Sequence, residues 1–409
     1  MKKFMAILFA VAMVCSTALP AAFSASAADT SSLAGTTINV YNWGEYISDG
    51  SEGSMDVNAE FTKRTGIKVN YNNYDTNENM YAKLKSDGVS FDIVIPSDYM
   101  IQRLIAEDML QKIDFSNIPN YKYIDANYKG LYFDPKDEYS VPYNVGMVGL
   151  IYNTKLVKEA PTSWNVMWDE QYKGKILMFD NPRDAFGIAQ KLLGQSFNTT
   201  DEAEWKAAAE KLKAQKPVLQ GYVMDDIFRK MENGEAAIAP YYAGDFITMY
   251  DNNPDLAFVY PQEGVNIFVD SICIPKNAKN KAAAEAYINF LLDPDIAVEN
   301  ANYLGYATPN TAVLAREDYE LKGNEYLYPT QDRMPKTEYF YNLPQQTLTL
   351  MTDLWSELKA SQSGEISQEQ KTDYTWLYIG LGAVAVVAAG VIAYKVIQKK
   401  KRDFADAED

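Results

Sequence analysis

Apolar residues recur along most of this chain in two rhythms, one of two residues and one of three to four. Ile38 and Val40, and later Ile67, Val69 and Tyr71, fall at alternate positions and predict half-buried strands; residues 91–95 form a short, largely apolar run that reads as another. A helix ending at Gly66 fits between the first two. After Pro96, Ile101, Leu104 and Ile105 repeat at helical spacing, which places Ser97 and Asp98 where a strand hands over to a helix. Open α/β sheets take ligands at such strand ends. A second series follows, with strands predicted at 145–152, 176–179, 236–239, 256–260 and 267–274. Its helices are predicted at 183–193, 201–214 with Thr200 as cap, 281–292, 295–303 and 337–358. Trp205, Ala208, Ala209 and Leu212 give the helix over 201–214 one apolar face. The alternation predicts an α/β fold with mostly parallel sheets, and two series in roughly 345 residues predict two lobes. There is no internal repeat.

Two apolar segments bracket this body. Lys2 and Lys3, an apolar run from Phe4 to Leu19 and the small residues Ala25, Ser26 and Ala27 predict a secretory signal over residues 1–27. Near the other end, the chain is uncharged from Trp376 to Tyr394, close to the roughly 20 residues that cross a bilayer. Lys399, Lys400, Lys401 and Arg402 follow, and positive charge stays inside. Residues 376–397 therefore read as a transmembrane anchor, 398–409 as a cytoplasmic tail, and the polar residues 360–375 as a flexible tether. The body is expected on the extracytoplasmic face of the cell membrane.

Charge and composition narrow the chemistry. The formal charge is −17; setting aside Lys2 and Lys3 of the leader and the net +1 from Trp376 onward leaves −20 on residues 29–375. So acidic a surface disfavours nucleic acid, and an acidic cleft attracts cations. Histidine is absent, and of the two cysteines Cys15 departs with the leader. Ala12, Met13 and Val14 make a poor site for lipid attachment at Cys15. Cys273, between Ile272 and Ile274, reads as a buried small hydrophobe, and one mature chain then has no disulfide. With no nucleophile elbow, no histidine base and no metal-ligand spacing, an anchored hydrolase is disfavoured, and neither an enzyme nor a cofactor is expected.

Several blocks, in fixed order, carry a resemblance. Tyr41-Asn42-Trp43-Gly44-Glu45-Tyr46, Phe61 to Val69, Met80 to Leu84 and Phe91-Asp92-Ile93-Val94-Ile95-Pro96-Ser97 open the series. Ser163-Trp164 with Trp168, Tyr172-Lys173-Gly174, Asn289 to Pro294 and Gly305-Tyr306-Ala307-Thr308-Pro309-Asn310 continue it. Over residues 36–358 the chain resembles the extracytoplasmic spermidine/putrescine-binding proteins of ABC importers. The resemblance implies a two-lobed periplasmic-binding-protein-like (type II) fold that closes on ligand in an interlobe cleft, acts as a monomer and delivers to permease subunits. Crossings near 141–144 and near Asp270 would make residues 36–142 with 270–310 lobe one, and 143–269 with 311–359 lobe two.

A polyamine is a methylene chain punctuated by ammonium groups, so its site needs spaced carboxylates and flat apolar faces. A charge-assisted hydrogen bond contributes about 1.5–3 kcal/mol and a cation–π contact about 0.5–2 kcal/mol. By resemblance, Glu45 accepts from a terminal ammonium, with Trp43 and Tyr46 as wall; Ser97 and Tyr99 form the next edge. Asp184, beside Arg183, is the candidate acid of lobe two. Asp245 follows Tyr242, Asp270 follows Phe268, and Tyr306 completes the wall. A further contact falls somewhere within 338–341. Each has a plainer counterpart: Glu45 a solvated loop acid, Ser97 a helix cap, Asp184 part of an Arg183–Asp184 network, Asp270 a hinge acid on backbone amides. Tyr242 and Phe268 stand where the family more often has Trp, which leaves ligand length open; Asp245 points to putrescine, the outer blocks to spermidine. Rival binders are a ferric site on Tyr241 and Tyr242, and a cleft for a quaternary amine or another small cation.

Overall fold

The computed structural model describes residues 30–86 and 88–369. The first part of the chain alternates strand and helix. β1 (Thr37–Trp43) buries Ile38, Val40 and Asn42 at every second position. α1 (Val57–Thr65) starts where the Asp56 side chain accepts from the Ala59 amide, and stops at Gly66, whose φ of 72° is left-handed. β2 (Lys68–Tyr74), α2 (Asn77–Lys85), β3 (Ile93–Val94) and α3 (Asp98–Ala106) complete this half, in which β2, β1 and β3 run parallel. β4 (Ser140–Asn153) then runs for 14 residues, all buried.

The second half holds β5 (Ile176–Phe179), α4 (Pro182–Leu192), α5 (Glu202–Gln215), β6 (Leu219–Val223), α6 (Asp226–Glu232), β7 (Ile238–Tyr242), α7 (Ala243–Asn252) and β8 (Leu256–Val259). β9 (Val265–Cys273) returns, followed by α8 (Lys281–Leu291), α9 (Pro294–Leu304), α10 (Thr311–Leu314), β10 (Thr337–Glu338) and α11 (Gln345–Glu369). The strand order is β2-β1-β3-β9-β4-β7-β5-β6, with β8 pairing on β4 and β10 on β9.

The sheet is mixed rather than mostly parallel, because two long antiparallel strands join two parallel pieces. β4 and β9 pair from Ser140↔Cys273 to Met147↔Ile267, with a break in register between Pro142 and Asn144. β9 thereby contacts β3 in one lobe, while β4 contacts β7 in the other. β4, β5 and β9 are buried on both faces, so no alternation survives in them; it persists on β1 and β8.

Three local expectations differ. The cap of α5 is Asp201, which accepts from the Ala203 amide, not Thr200. The C-terminal helix begins at Gln345 rather than 337: Thr337 and Glu338 pair with β9, and Pro344 cannot lie inside a helix. That helix then runs to Glu369, through the first ten residues of the polar stretch assigned to a tether, since extending a formed helix needs no new nucleus. Among the described residues no helix is long and apolar enough to cross a membrane. The predicted leader 1–27, anchor 376–397 and tail 398–409 lie outside the described residues.

Candidate ligand-binding cleft

The carboxyl ends of β1 and β3, and the amino ends of α3, α4, α6 and α7, converge on one cleft enclosing about 660 Å³, part of it open to solvent. Trp43, Glu45, Tyr46, Ser97, Tyr99, Asp184, Tyr242, Asp245, Phe268, Asp270 and Tyr306 all line it. The eleven candidate residues are therefore brought together, though they span more than 260 positions of sequence.

From the first half, the Trp43 indole donates to the Ile95 carbonyl at 2.9 Å and leans on Tyr74, with ring centres 4.7 Å apart, which fixes its plane. Glu45 follows with a left-handed φ of 45°. Tyr46 donates to Asp270 Oδ2 at 2.7 Å, and its ring meets Tyr306 edge-on at 5.1 Å. Ser97 occupies the N-cap position of α3 without capping it. Its Oγ instead accepts from Asn77 Nδ2 at 3.0 Å, while Tyr99 donates to Glu78 at 3.0 Å. Asp98 turns away from solvent and accepts from the Tyr99 and Val269 amides.

From the second half, Asn181 caps α4 and donates to Asp184 Oδ2 at 2.7 Å; the Tyr242 hydroxyl donates to the same oxygen at 3.0 Å. Arg183 forms no network with Asp184. It runs beneath the site to the carbonyls of Phe197 and Tyr341 and to Asn198, with its guanidinium 4.4 Å from the centre of the Phe340 ring. Asp245 sits in the first turn of α7, where Tyr306 hydrogen-bonds to it. Two glycines admit the aromatic walls: a methyl group on Gly146 would overlap the Phe268 ring, and one on Gly244 the Tyr306 ring.

Six carboxylates, Glu45, Asp98, Asp184, Asp225, Asp245 and Asp270, line the cleft and no lysine or arginine does. Burial pushes the Asp184 carboxyl up to about 7 and that of Asp270 up to about 6. Asp245 is held well above the usual carboxylate range by burial, reinforced by the charges of Asp225 and Glu45. Asp270 Oδ1 is buried with no hydrogen-bond partner. An arrangement of this kind is short of positive charge, and its rings suit a thin apolar stem.

A family model described as bacterial extracellular solute-binding protein matches residues 57–325. The chain belongs to the bacterial extracellular solute-binding proteins. Its role in that family is binding rather than catalysis. Among relatives of this solute-binding protein, the spermidine/putrescine-binding periplasmic protein of Salmonella typhimurium is 38% identical over 306 residues, 74% of this chain and 86% of that protein. The putrescine-binding periplasmic protein SpuD of Pseudomonas aeruginosa is 30% identical, over 80% of this chain and 92% of that one. An ABC-transporter structure from Listeria monocytogenes aligns with a TM-score of 0.74 at 36% identity, covering 79% of this chain and 99% of that one. The spermidine/putrescine substrate-binding protein PotD of Streptococcus pneumoniae aligns at 0.65 and 34%, covering 80% and 99%.

The solute-binding cleft also contains residues that the pattern of the sequence did not flag. Asp225 stands between β6 and α6, at the same kind of strand-to-helix handover that marks Ser97, and that rule applied after Val223 finds it. Asn77, Asn181, Asn266 and Met224 add to the lining, and Phe340 is the residue that 338–341 contributes. Glu338, by contrast, faces Lys191, Ser196 and Asn198. Tyr241 and Tyr242 donate to Asp225 and Asp184, and burial holds both phenols well above their usual range, which opposes the tyrosinates a ferric site needs. Among the described residues no cluster of acids and cysteines could hold a metal ion.

Proposed function

We propose that this protein captures polyamines, spermidine or putrescine, between its lobes and delivers them to the permease subunits of an ABC importer. The observation that carries this reading is the set of six acids with no basic side chain in one ring-walled cleft. Glu45 and Asp245 receive one terminal ammonium, Asp270 the middle of the chain and Asp184 the far end. Trp43, Tyr46, Tyr242, Phe268 and Tyr306 cover the methylenes, and Ser97 with Tyr99 closes the edge. Two relatives whose names specify spermidine or putrescine support the same ligand class.

The lobes in this reading are residues 36–142 with 270–310 and residues 143–269 with 311–359, hinged where β4 and β9 cross. Ligand settles on the first and the second engages on closure, so that the closed form is the one the permease takes. Residues 1–27 direct secretion, and residues 376–397 hold the protein, a monomer, to the outer face of the membrane.

Isothermal titration of the secreted chain in nanodiscs with putrescine, spermidine, spermine and choline tests the proposal. Binding of at least one polyamine at micromolar strength, about −8 kcal/mol, is expected, with choline far weaker. No heat with any polyamine, or tighter binding of choline, overturns it.

A further inference from the structure

The mouth of the cleft has its own arrangement of charge. Glu45 enters from the loop after β1 and Asp225 from the turn before α6, on opposite halves of the sheet. Both are exposed, whereas Asp184, Asp245 and Asp270 are buried. Asp225 comes so near the opposite loop that a methyl group on Gly44 would overlap its carboxylate. The backbone at Gly44 has no left-handed φ, so glycine is used there for close approach and not for a turn. The Tyr241 hydroxyl donates to Asp225 Oδ1 at 3.3 Å and steers the other oxygen toward Gly44. Other acids surround the pair, Asp49 and Glu232 near Glu45 and Asp75 near Asp225.

We propose that Glu45 and Asp225 form a charge gate, which resists closing over an empty mouth and is held shut by an ammonium group lying between the two lobes. The inference rests on the polyamine reading above and adds to it a specificity-determining pair, Asp225 and the Gly44 that admits it. Like charges brought together from opposite lobes disfavour the closed form without ligand. An ammonium between them turns the repulsion into charge-assisted hydrogen bonds from both sides. A guest must then carry a cation at its outer end as well as its inner one, so a diamine is favoured over a monoamine with the same carbon stem.

Putrescine and n-butylamine share a four-carbon stem and differ by one ammonium, so their ratio of affinities reads the gate directly. The secreted chain in nanodiscs, carrying a dye pair across the lobes to report closure, is titrated with each. Asp225→Asn keeps the side-chain shape and an oxygen for Tyr241 while removing the charge. It is expected to weaken putrescine roughly tenfold and butylamine by no more than about threefold, and to raise the closed fraction without ligand. Gly44→Ala, which pushes the carboxylate aside without removing it, is expected to weaken putrescine as well. An unchanged putrescine-to-butylamine ratio in Asp225→Asn overturns the gate and leaves the polyamine reading standing. A wild-type chain that takes up no polyamine overturns that reading instead.

Discussion

Asp270 illustrates what the proposed site asks of one residue. One carboxylate oxygen receives the Tyr46 hydroxyl at 2.7 Å, while the other is buried and unpartnered, and burial raises the group to about 6. A buried ionised oxygen without a donor is costly until a cation reaches it. Replacing Asp270 with Asn removes the charge and keeps the shape. Asp270→Asn is expected to weaken putrescine at least tenfold in calorimetry while leaving the melting temperature of the empty protein at neutral pH equal or higher. Unchanged affinity would take Asp270 out of the site. The residues of the cleft were legible in the sequence where motif blocks in fixed order flank them, as for Glu45, Asp270 and Tyr306. Asp225 was not, because the strand before it, Leu219–Val223, is only partly buried and lacks an alternating apolar signature.

At the scale of elements, the lobe behind Asp184 is held by a stack of helices. Trp205 on α5 is fully buried, meets Phe186 of α4 at 5.2 Å between ring centres and donates its indole N–H to the Thr199 carbonyl. α11 packs on the same helices, with Trp355 reaching Phe186 and Tyr222. Trp205→Ala should cost about 3–5 kcal/mol, read as a lower urea midpoint. An intact helix stack near the midpoint of wild type would show the cavity to be refilled. Long amphipathic helices such as α5 and α8 were readable from spacing alone. α6 has only seven residues, and α7 follows β7 without a break, so neither offers a period long enough to detect. The mixed sheet was also hidden, because strands buried on both faces read the same whether they run parallel or antiparallel.

The whole molecule is expected to respond to pH through these buried acids. Asp184 at about 7 and Asp270 at about 6 lie above the value of about 3.9 expected for Asp in an unfolded chain. Over that interval the empty folded protein keeps protons that the unfolded chain gives up. The stabilisation they represent is full below about pH 4 and is lost as pH rises toward 7. In the proposed complex a polyamine pairs with the ionised carboxylates and so reverses the loss. The melting temperature of the empty protein, through these two acids, should therefore decline from pH 5 to pH 7.5, while the increase produced by putrescine grows over the same range. Titration at pH 6 in buffers of different ionisation enthalpy should show release of more than one proton on binding. A ligand-induced shift that is flat with pH would mean the acids stay charged without a guest.

Lys359 straps α11 down by its pairing with Asp180 at 2.8 Å and its place above the Tyr222 ring. Through α11 the described end of the chain packs chiefly on the half built on α4 and α5. If residues 376–397 anchor the protein as proposed, closure of the proposed hinge would leave that half with its attachment and move the half bearing α1, α2 and α3. Any neighbouring complex that senses the captured cargo would meet it as a swing of that moving half.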